Sequence, residues 1–214
     1  MKKLSSILVI FLCTAAFCLA QTAYDFSRLK MEPLGRGVIA VRKSPSEVFV
    51  SWRYLSSDPS GAAFDVYRNG VRVNSKAISD ACWFVDSNPS PAAATYEVRP
   101  HAGRLRSGSF TLPARAPQGY IPIPLDTPAD QTMPNGEIAT YTPNDCSIGD
   151  VDGDGEYEIF LKWDPSNAHD NAHNGYTGDV FIDCIKLDGT RLWRVNLGRN
   201  IRAGAHYTQM MVYD

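Results

Sequence analysis

GDVDGDGEYEIFLKW, from Gly149 to Trp163, is the stretch that decides how this 214-residue chain folds. Asp150, Asp152 and Asp154 recur at every second position, Gly155 follows, and a carboxylate returns at Glu158. Carboxylates at that density repel one another unless a cation neutralises them, and Ca²⁺ accepts roughly six to eight oxygens in loose geometry. The run is therefore expected to be a calcium loop rather than a solvated acidic turn. It is not an EF-hand, because Leu161 stands at the twelfth position, where that motif has a bidentate glutamate. The ring closes instead at Glu158, with the backbone carbonyl of Glu156 as a further ligand. Ile159, Leu161 and Trp163 then alternate on one face, which predicts a strand leaving the loop.

Downstream lies DPSNAHDNAHNGYTGD, Asp164 to Asp179, an almost wholly polar run. Loops of this length are commonly functional or disordered. His169 and His173 have the spacing of a zinc pair on a helix, but Pro165, Asn171, Asn174 and Gly175 argue against a helix, so hydrogen-bonding roles are expected. DVFIDCIKLDGTRLWRVNLG, Asp179 to Gly198, then reads as strand, a turn at Asp188-Gly189, and strand, continuing a meander. CSIGD at Cys146–Asp150 and MMVYD at Met210–Asp214 both put an aspartate after a β-run. A period of about sixty residues is the mark of a propeller or similar array. On that basis the chain is expected to be a truncated piece of a longer protein.

Upstream, IPIPLDTP at Ile121–Pro128 is proline-rich, so an extended linker is expected there, with a domain boundary near Gly119. Residues 24–116 hold short β-patterned runs. VFVSWRYL alternates Val48, Val50, Trp52 and Tyr54, and Asn69-Gly70 joins two runs as a type I′ hairpin. CWFVD, ATYEVRPH and SGSFTL add three more strands. The order resembles a fibronectin type III-like β-sandwich, a fold with no fixed function. Trp52, Trp83 and Tyr96 could make a sugar-stacking platform; core packing is the expectation for all three.

Residues 1–20 have the form of a secretory signal peptide, with Lys2 and Lys3 ahead of a short apolar run ending at Ala20. The run is short for a membrane span. A secreted, monomeric protein with no membrane span is expected. Without Lys2 and Lys3, 19 basic residues face 23 acidic ones, a net charge of −4 with no sign of a nucleic-acid partner. Cys82, Cys146 and Cys184 remain, too few for a disulfide scaffold; buried thiols are expected, and a Cys146–Cys184 bridge stays open.

Longer runs then become diagnostic. NDCSIGDVDGDGEYEIFLKWDPSN, GYTGDVFID and KLDGTRLWRVNLGRNIRAGAHYTQMMVYD are closely similar to the amino-terminal part of the rhamnogalacturonan lyases of polysaccharide lyase family eleven. The resemblance implies an all-β chain: the small sandwich over 24–116, followed over 120–214 by the first part of an eight-bladed calcium-binding β-propeller. It implies β-elimination of the rhamnose–galacturonate backbone of a pectic polysaccharide, with Ca²⁺ bound. It places Asn144 and Asp164 in the sugar cleft, brings Arg202 and His206 towards it, and sets Asp145 beside a second calcium. No catalytic base is assigned among the residues present, and the chain alone is expected to be inactive. The alternative is a calcium-stabilised carbohydrate-binding or adhesion module without catalysis.

Overall fold

Period-2 burial builds the first sheet. In β2 (Glu47–Ser51), Val48 and Val50 are fully buried while Phe49 points outward, and each such valine contributes about 1.5–3 kcal/mol when buried. β2 lies between β1 (Ile39–Ser44) and β5 (Trp83–Ser87), antiparallel to both. β1 was not anticipated, because a strand this close to the polar turn at Ser44–Glu47 carries a weak apolar signal. The second sheet runs β4-β3-β6-β7, with β3 at Phe64–Arg68, β4 at Val71–Arg72, β6 at Ala94–Pro100 and β7 at Gly108–Leu112. Asn69 and Gly70 have φ of 49° and 80°, so the β3–β4 hairpin turns as its Asn-Gly pair predicts.

The two sheets face each other across one core, in which Ala40, Val48, Val50 and Trp52 meet Phe64, Val66, Tyr96 and Val98. Asp86 of β5 accepts from Arg68 at 2.5 Å and from the Tyr96 hydroxyl at 2.7 Å, a polar clip between the sheets. Burial, with the adjacent Asp86 carboxylate, pushes the Tyr96 hydroxyl well above the usual phenol range. Trp52 and Tyr96 are core residues as expected. Trp83 is not: it is 52% exposed and stacks on Phe49 at 6.0 Å, because its position on β5 alternates away from the core.

This computed structural model describes residues 32–204 and 208–212. The expected leader at 1–20, the start of the first module at 24–31 and Asp214 lie outside the described residues. All the regular structure described is strand, and no described helix is long and apolar enough to cross a membrane. Residues 120–130 are extended without strand pairing, ahead of the small β8–β9 ribbon (Gln131–Thr132 and Ile138–Ala139).

The second large sheet is a four-stranded antiparallel meander: β10 (Tyr141–Gly149), β11 (Glu158–Pro165), β12 (Phe181–Ile185) and β13 (Arg191–Asn196). Tyr141, Leu161, Trp163 and Ile185 pack on one face. The Trp163 indole donates to Asp183 at 2.8 Å, and Arg194 holds that carboxylate from the far side. Alternation suggested a strand with one buried face, yet β11 is buried on both: Phe160 contacts Trp193 on the reverse side, and Lys162 beside it is 2% exposed. The segment at 208–212 returns over β10, where Val212 donates its amide to the Ser147 hydroxyl. Cys146 and Cys184 do not bridge. They occupy β10 and β12, with β11 between them, and both thiols are free. Burial pushes the Cys184 thiol up to about 11.

One buried ion pair knits the first module. Arg36 and Asp58 pair through two hydrogen bonds, at 2.5 and 3.0 Å, with both side chains essentially inaccessible. The guanidinium also donates to the carbonyls of Arg53 and Arg106 and lies over the Phe64 ring. Hydrogen bonds from Arg36 hold the Asp58 carboxyl below the usual carboxylate range. Such a group stabilises fully above the unfolded aspartate value of about 3.9 and loses its contribution as pH falls through the depressed folded value. We therefore expect Asp58→Ala to cost about 3–5 kcal/mol at neutral pH, by stranding a buried guanidinium. In urea denaturation, its deficit against the parent chain should shrink below about pH 4.

Candidate functional site

The acidic loop joins β10 to β11, and its backbone bends so that its own amides face its carboxylates. Both oxygens of Asp150 accept, from the amides of Gly153 at 2.8 Å and Gly155 at 2.9 Å. Asp152 takes the amide of Asp154, Asp154 takes that of Glu156, and the buried Glu158 takes that of Val151. Gly155 is required here. Its φ is +91°, and an added Cβ would meet the Gly35 nitrogen at 2.8 Å. The Gly35 amide donates to the Gly155 carbonyl at 2.6 Å, Glu32 accepts from the Asp150 amide, and Arg53 stacks on Tyr157 while pairing with Glu156 at 3.6 Å. The first module thus clasps the loop from outside.

Carboxylate oxygens of Asp150, Asp152 and Glu158 lie within 4.8 Å of one another. Hard divalent ions hold oxygens at about 2.3–2.6 Å, so two ligands of one ion stand at most about 5 Å apart, and the set fits such an ion. The Lys186 ammonium, from the turn after β12, stands 2.7 Å from both Asp152 and Asp154 and 3.5 Å from Glu158. Those two hydrogen bonds raise the lysine above its ordinary range, and the bond from Lys186 lowers the Asp154 carboxyl. Asp154, expected in the ring, gives its carboxylate to Lys186 and stands outside the close set. The Glu156 carboxylate faces Arg53.

At the opposite end of the sheet a second polar group assembles. Pro143 pairs with Trp163 and Cys146 with Leu161, leaving Asn144 and Asp145 opposed to Lys162 alone, a β-bulge that re-aims two side chains. The Asn144 amide donates to Asp164 at 3.3 Å. The Lys162 ammonium lies 3.9 Å from both Asp145 and Asp164. Asp145 therefore sits beside a lysine, with its side chain 71% exposed, and not with the Asp150 set. Lys162 escaped sequence reasoning because a lysine in an alternating strand reads as solvent-facing; the signal available was its place between Leu161 and Trp163 in an otherwise apolar run.

The polar run after Asp164 is a turn-rich loop. His169 and His173 lie with ring centroids 6.1 Å apart, and His169 Nδ1 meets the Asn167 carbonyl at 2.7 Å. Arg202 is spent on this loop: it donates to the carbonyls of His169 (3.2 Å), His173 (2.5 Å) and Gly175 (3.5 Å). Its contacts are to backbone rather than to the Asn144–Asp164 pair. His206 lies outside the described residues. Chemically, the Asn144–Asp164 pair offers hydrogen-bond donors and acceptors to a hydroxylated ligand, with the buried Lys162 charge facing Asp145 and Asp164.

Comparison with known proteins agrees along most of the chain. Residues 120–214 match the family description "Rhamnogalacturonan lyase family 11, C-terminal domain", and residues 29–109 match "Rhamnogalacturonan I lyases beta-sheet domain". The chain is 52% identical over 185 residues to the rhamnogalacturonan endolyase YesW of Bacillus subtilis (strain 168), covering 86% of this chain and 29% of that protein. It is 52% identical over 186 residues to the rhamnogalacturonan exolyase YesX of the same organism, covering 86% and 30%. A rhamnogalacturonan lyase structure from Bacillus licheniformis superposes with a TM-score of 0.76 at 49% identity, over 86% of this chain and 31% of that one. The chain thus spans about 30% of the length of the relatives it matches.

Lys186 is the only cation paired with Asp152, Asp154 or Glu158 among the described ion pairs. Lys186→Met should lower the melting temperature in a chelating buffer, because like charges are then left facing each other. Added divalent cation should recover most of the loss, as measured by differential scanning calorimetry.

Proposed function

We infer that this chain, which belongs to rhamnogalacturonan lyase family 11, is the part of a calcium-dependent lyase that grips the pectic backbone. The supporting observation is the convergence of Asn144, Asp164 and the buried Lys162 at one end of the meander. In β-elimination, a base removes the proton at carbon five of a galacturonate. The electron pair forms the carbon four–carbon five double bond, and the glycosidic oxygen at carbon four departs. Charge builds on the uronate carboxylate on the way, so fixed cations and donors near that carboxylate lower the barrier. Asn144 and Asp164 orient sugar hydroxyls, each holding the other's rotamer through their hydrogen bond. Lys162 is seated 3.9 Å from both Asp145 and Asp164, a fixed charge beside the pair.

Asp150, Asp152 and Glu158 would hold calcium, with Asp154 and the Glu156 carbonyl completing the ring. When bound, the ion supplies charge neutralisation to the loop rather than chemistry to the sugar, since the Asn144 group lies at the other end of β11. The meander is the first blade of a propeller, and the preceding two-sheet module has the strand order of a fibronectin type III-like sandwich. Residues 1–20 direct the protein to secretion. No catalytic base is assigned among the residues of this chain, which spans about 30% of the length of its relatives.

This assignment makes linked expectations. Titrated with a rhamnogalacturonan oligosaccharide in isothermal calorimetry, the chain should bind, and Asn144→Ala or Asp164→Ala should weaken binding on the order of tenfold. Calcium should raise its melting temperature, and Asp152→Ala should abolish that response. Incubation with rhamnogalacturonan and calcium should give no rise in unsaturated-uronate absorbance. Clear turnover would show that the chain is catalytically sufficient, and absence of binding would remove the sugar-gripping role.

A further inference from the structure

Beside the loop that Arg202 ties down, a cleft of about 610 Å³ opens between the β8–β9 ribbon and residues 199–202. That volume is in the range of small-ligand sites. Its walls include Gln131, Thr132, Tyr176, Asp179, Arg199 and Arg202, two guanidinium groups against one carboxylate. The carboxylate is already engaged, since Asp179 accepts from Gln131 at 3.2 Å and from Asn196 at 2.8 Å. Among the described residues Arg202 donates to neutral carbonyls and makes no ion pair. Arg199 is exposed and makes no ion pair among the described residues. Tyr176, half exposed, presents its ring at the same wall.

The cleft is built rather than incidental. The single proton of the Tyr141 hydroxyl is shared between the Gln131 side-chain oxygen and the Asp179 carbonyl, and the Asp179 amide donates to the same Gln131 oxygen. Burial, helped by the charge of Asp179, pushes that hydroxyl up to about 12, so it stays a neutral donor at working pH. Tyr141 begins the strand that carries Asn144, and it pairs with Pro165 directly after Asp164. Cleft and Asn144 group therefore share one end of the sheet.

We propose that this cleft is a second sugar subsite, selective for a uronic acid, in which Arg199 receives the carboxylate and Tyr176 stacks on the sugar ring. A planar guanidinium matches a carboxylate through two parallel hydrogen bonds. An exposed phenol ring offers an apolar face to sugar C–H groups, and Gln131 and Thr132 are placed to meet hydroxyls. An inorganic anion would use the arginines but not the ring. The proposal rests on the pectic reading of the chain above, because it makes alternate residues of an acidic backbone the ligand.

The test uses the 214-residue chain with digalacturonate, its carboxyl-reduced neutral counterpart, sodium sulfate, and a rhamnogalacturonan oligosaccharide, each titrated by calorimetry. Digalacturonate should bind, more weakly as salt rises, and the neutral disaccharide should bind at least about tenfold less well. Arg199→Ala and Tyr176→Ala should each weaken digalacturonate on the order of tenfold, and Arg199→Lys should restore part of the loss. Both positions are exposed, so unchanged melting curves control for folding. If rhamnogalacturonan binds but both alanine variants match the parent for digalacturonate, the subsite is overturned and the lyase assignment stands. If digalacturonate binds through Arg199 while rhamnogalacturonan does not bind, the subsite stands and the pectic-backbone assignment falls. Absence of all binding overturns both. If sulfate competes as well as digalacturonate and Tyr176→Ala is silent, the cleft is a general anion site and the sugar proposal is overturned.

Discussion

Charge crowding in the turn between β10 and β11 is the constraint on which the rest of the second sheet depends. Asp150, Asp152, Asp154 and Glu158 cannot share so small a volume unless each negative charge is met by a donor or cation. The chain meets most of them locally, with amides of the turn itself, and the remainder with Lys186 from the next turn. That solution dictates glycine at the position pressed against Gly35 and a basic residue after β12. It also gives the first module something to hold. Because Glu32, Gly35 and Arg53 all reach this turn, the sandwich and the meander share one loop as a common foundation, within a single compact unit from residue 32 onward.

β11 then acts as a spine with different chemistry at its two ends. Glu158 begins it in the acidic turn, and Lys162 and Asp164 end it in the polar group with Asn144. Between them Phe160, Leu161 and Trp163 are buried on alternate sides, which fixes the strand in register with both neighbours. A perturbation at either end is thus transmitted through a packed, paired strand rather than through a loop. The bulge at Asn144–Asp145 is the only irregularity in the β10–β11 ladder, and it falls at the polar group.

Much of this was legible in the residues, and the exceptions share a cause. Val48 and Val50 announced their strand because one side of it is wet, and Asn69-Gly70 announced its hairpin because few other pairs accept positive φ twice. The acidic turn, the meander after it and the absence of a helix around His169 were legible for similar reasons. What period-2 patterning cannot encode is burial on both faces, so nothing in the alternation marks Phe160 and Lys162 as buried. Nor does it encode where a long side chain ends. Arg202 reaches back to three carbonyls of an earlier loop, and Lys186 reaches the aspartates from another turn; both contacts depend on tertiary approach. Trp83 was misjudged because an aromatic in a strand says nothing about which face it occupies.

The clasp between Gly35 and Gly155 also orders events in time. The two glycines stand 120 residues apart in the sequence, and a contact of such separation has its loop-closure entropy to overcome before it returns any stability. The sandwich can complete its own core as soon as Leu112 has been made. The Gly35 amide, however, meets its partner carbonyl only once the acidic turn has been synthesised and bent. Assembly of this chain therefore runs outward and then back: the last-formed contact of the first module waits for the second, and the junction between them is sealed from the loop side.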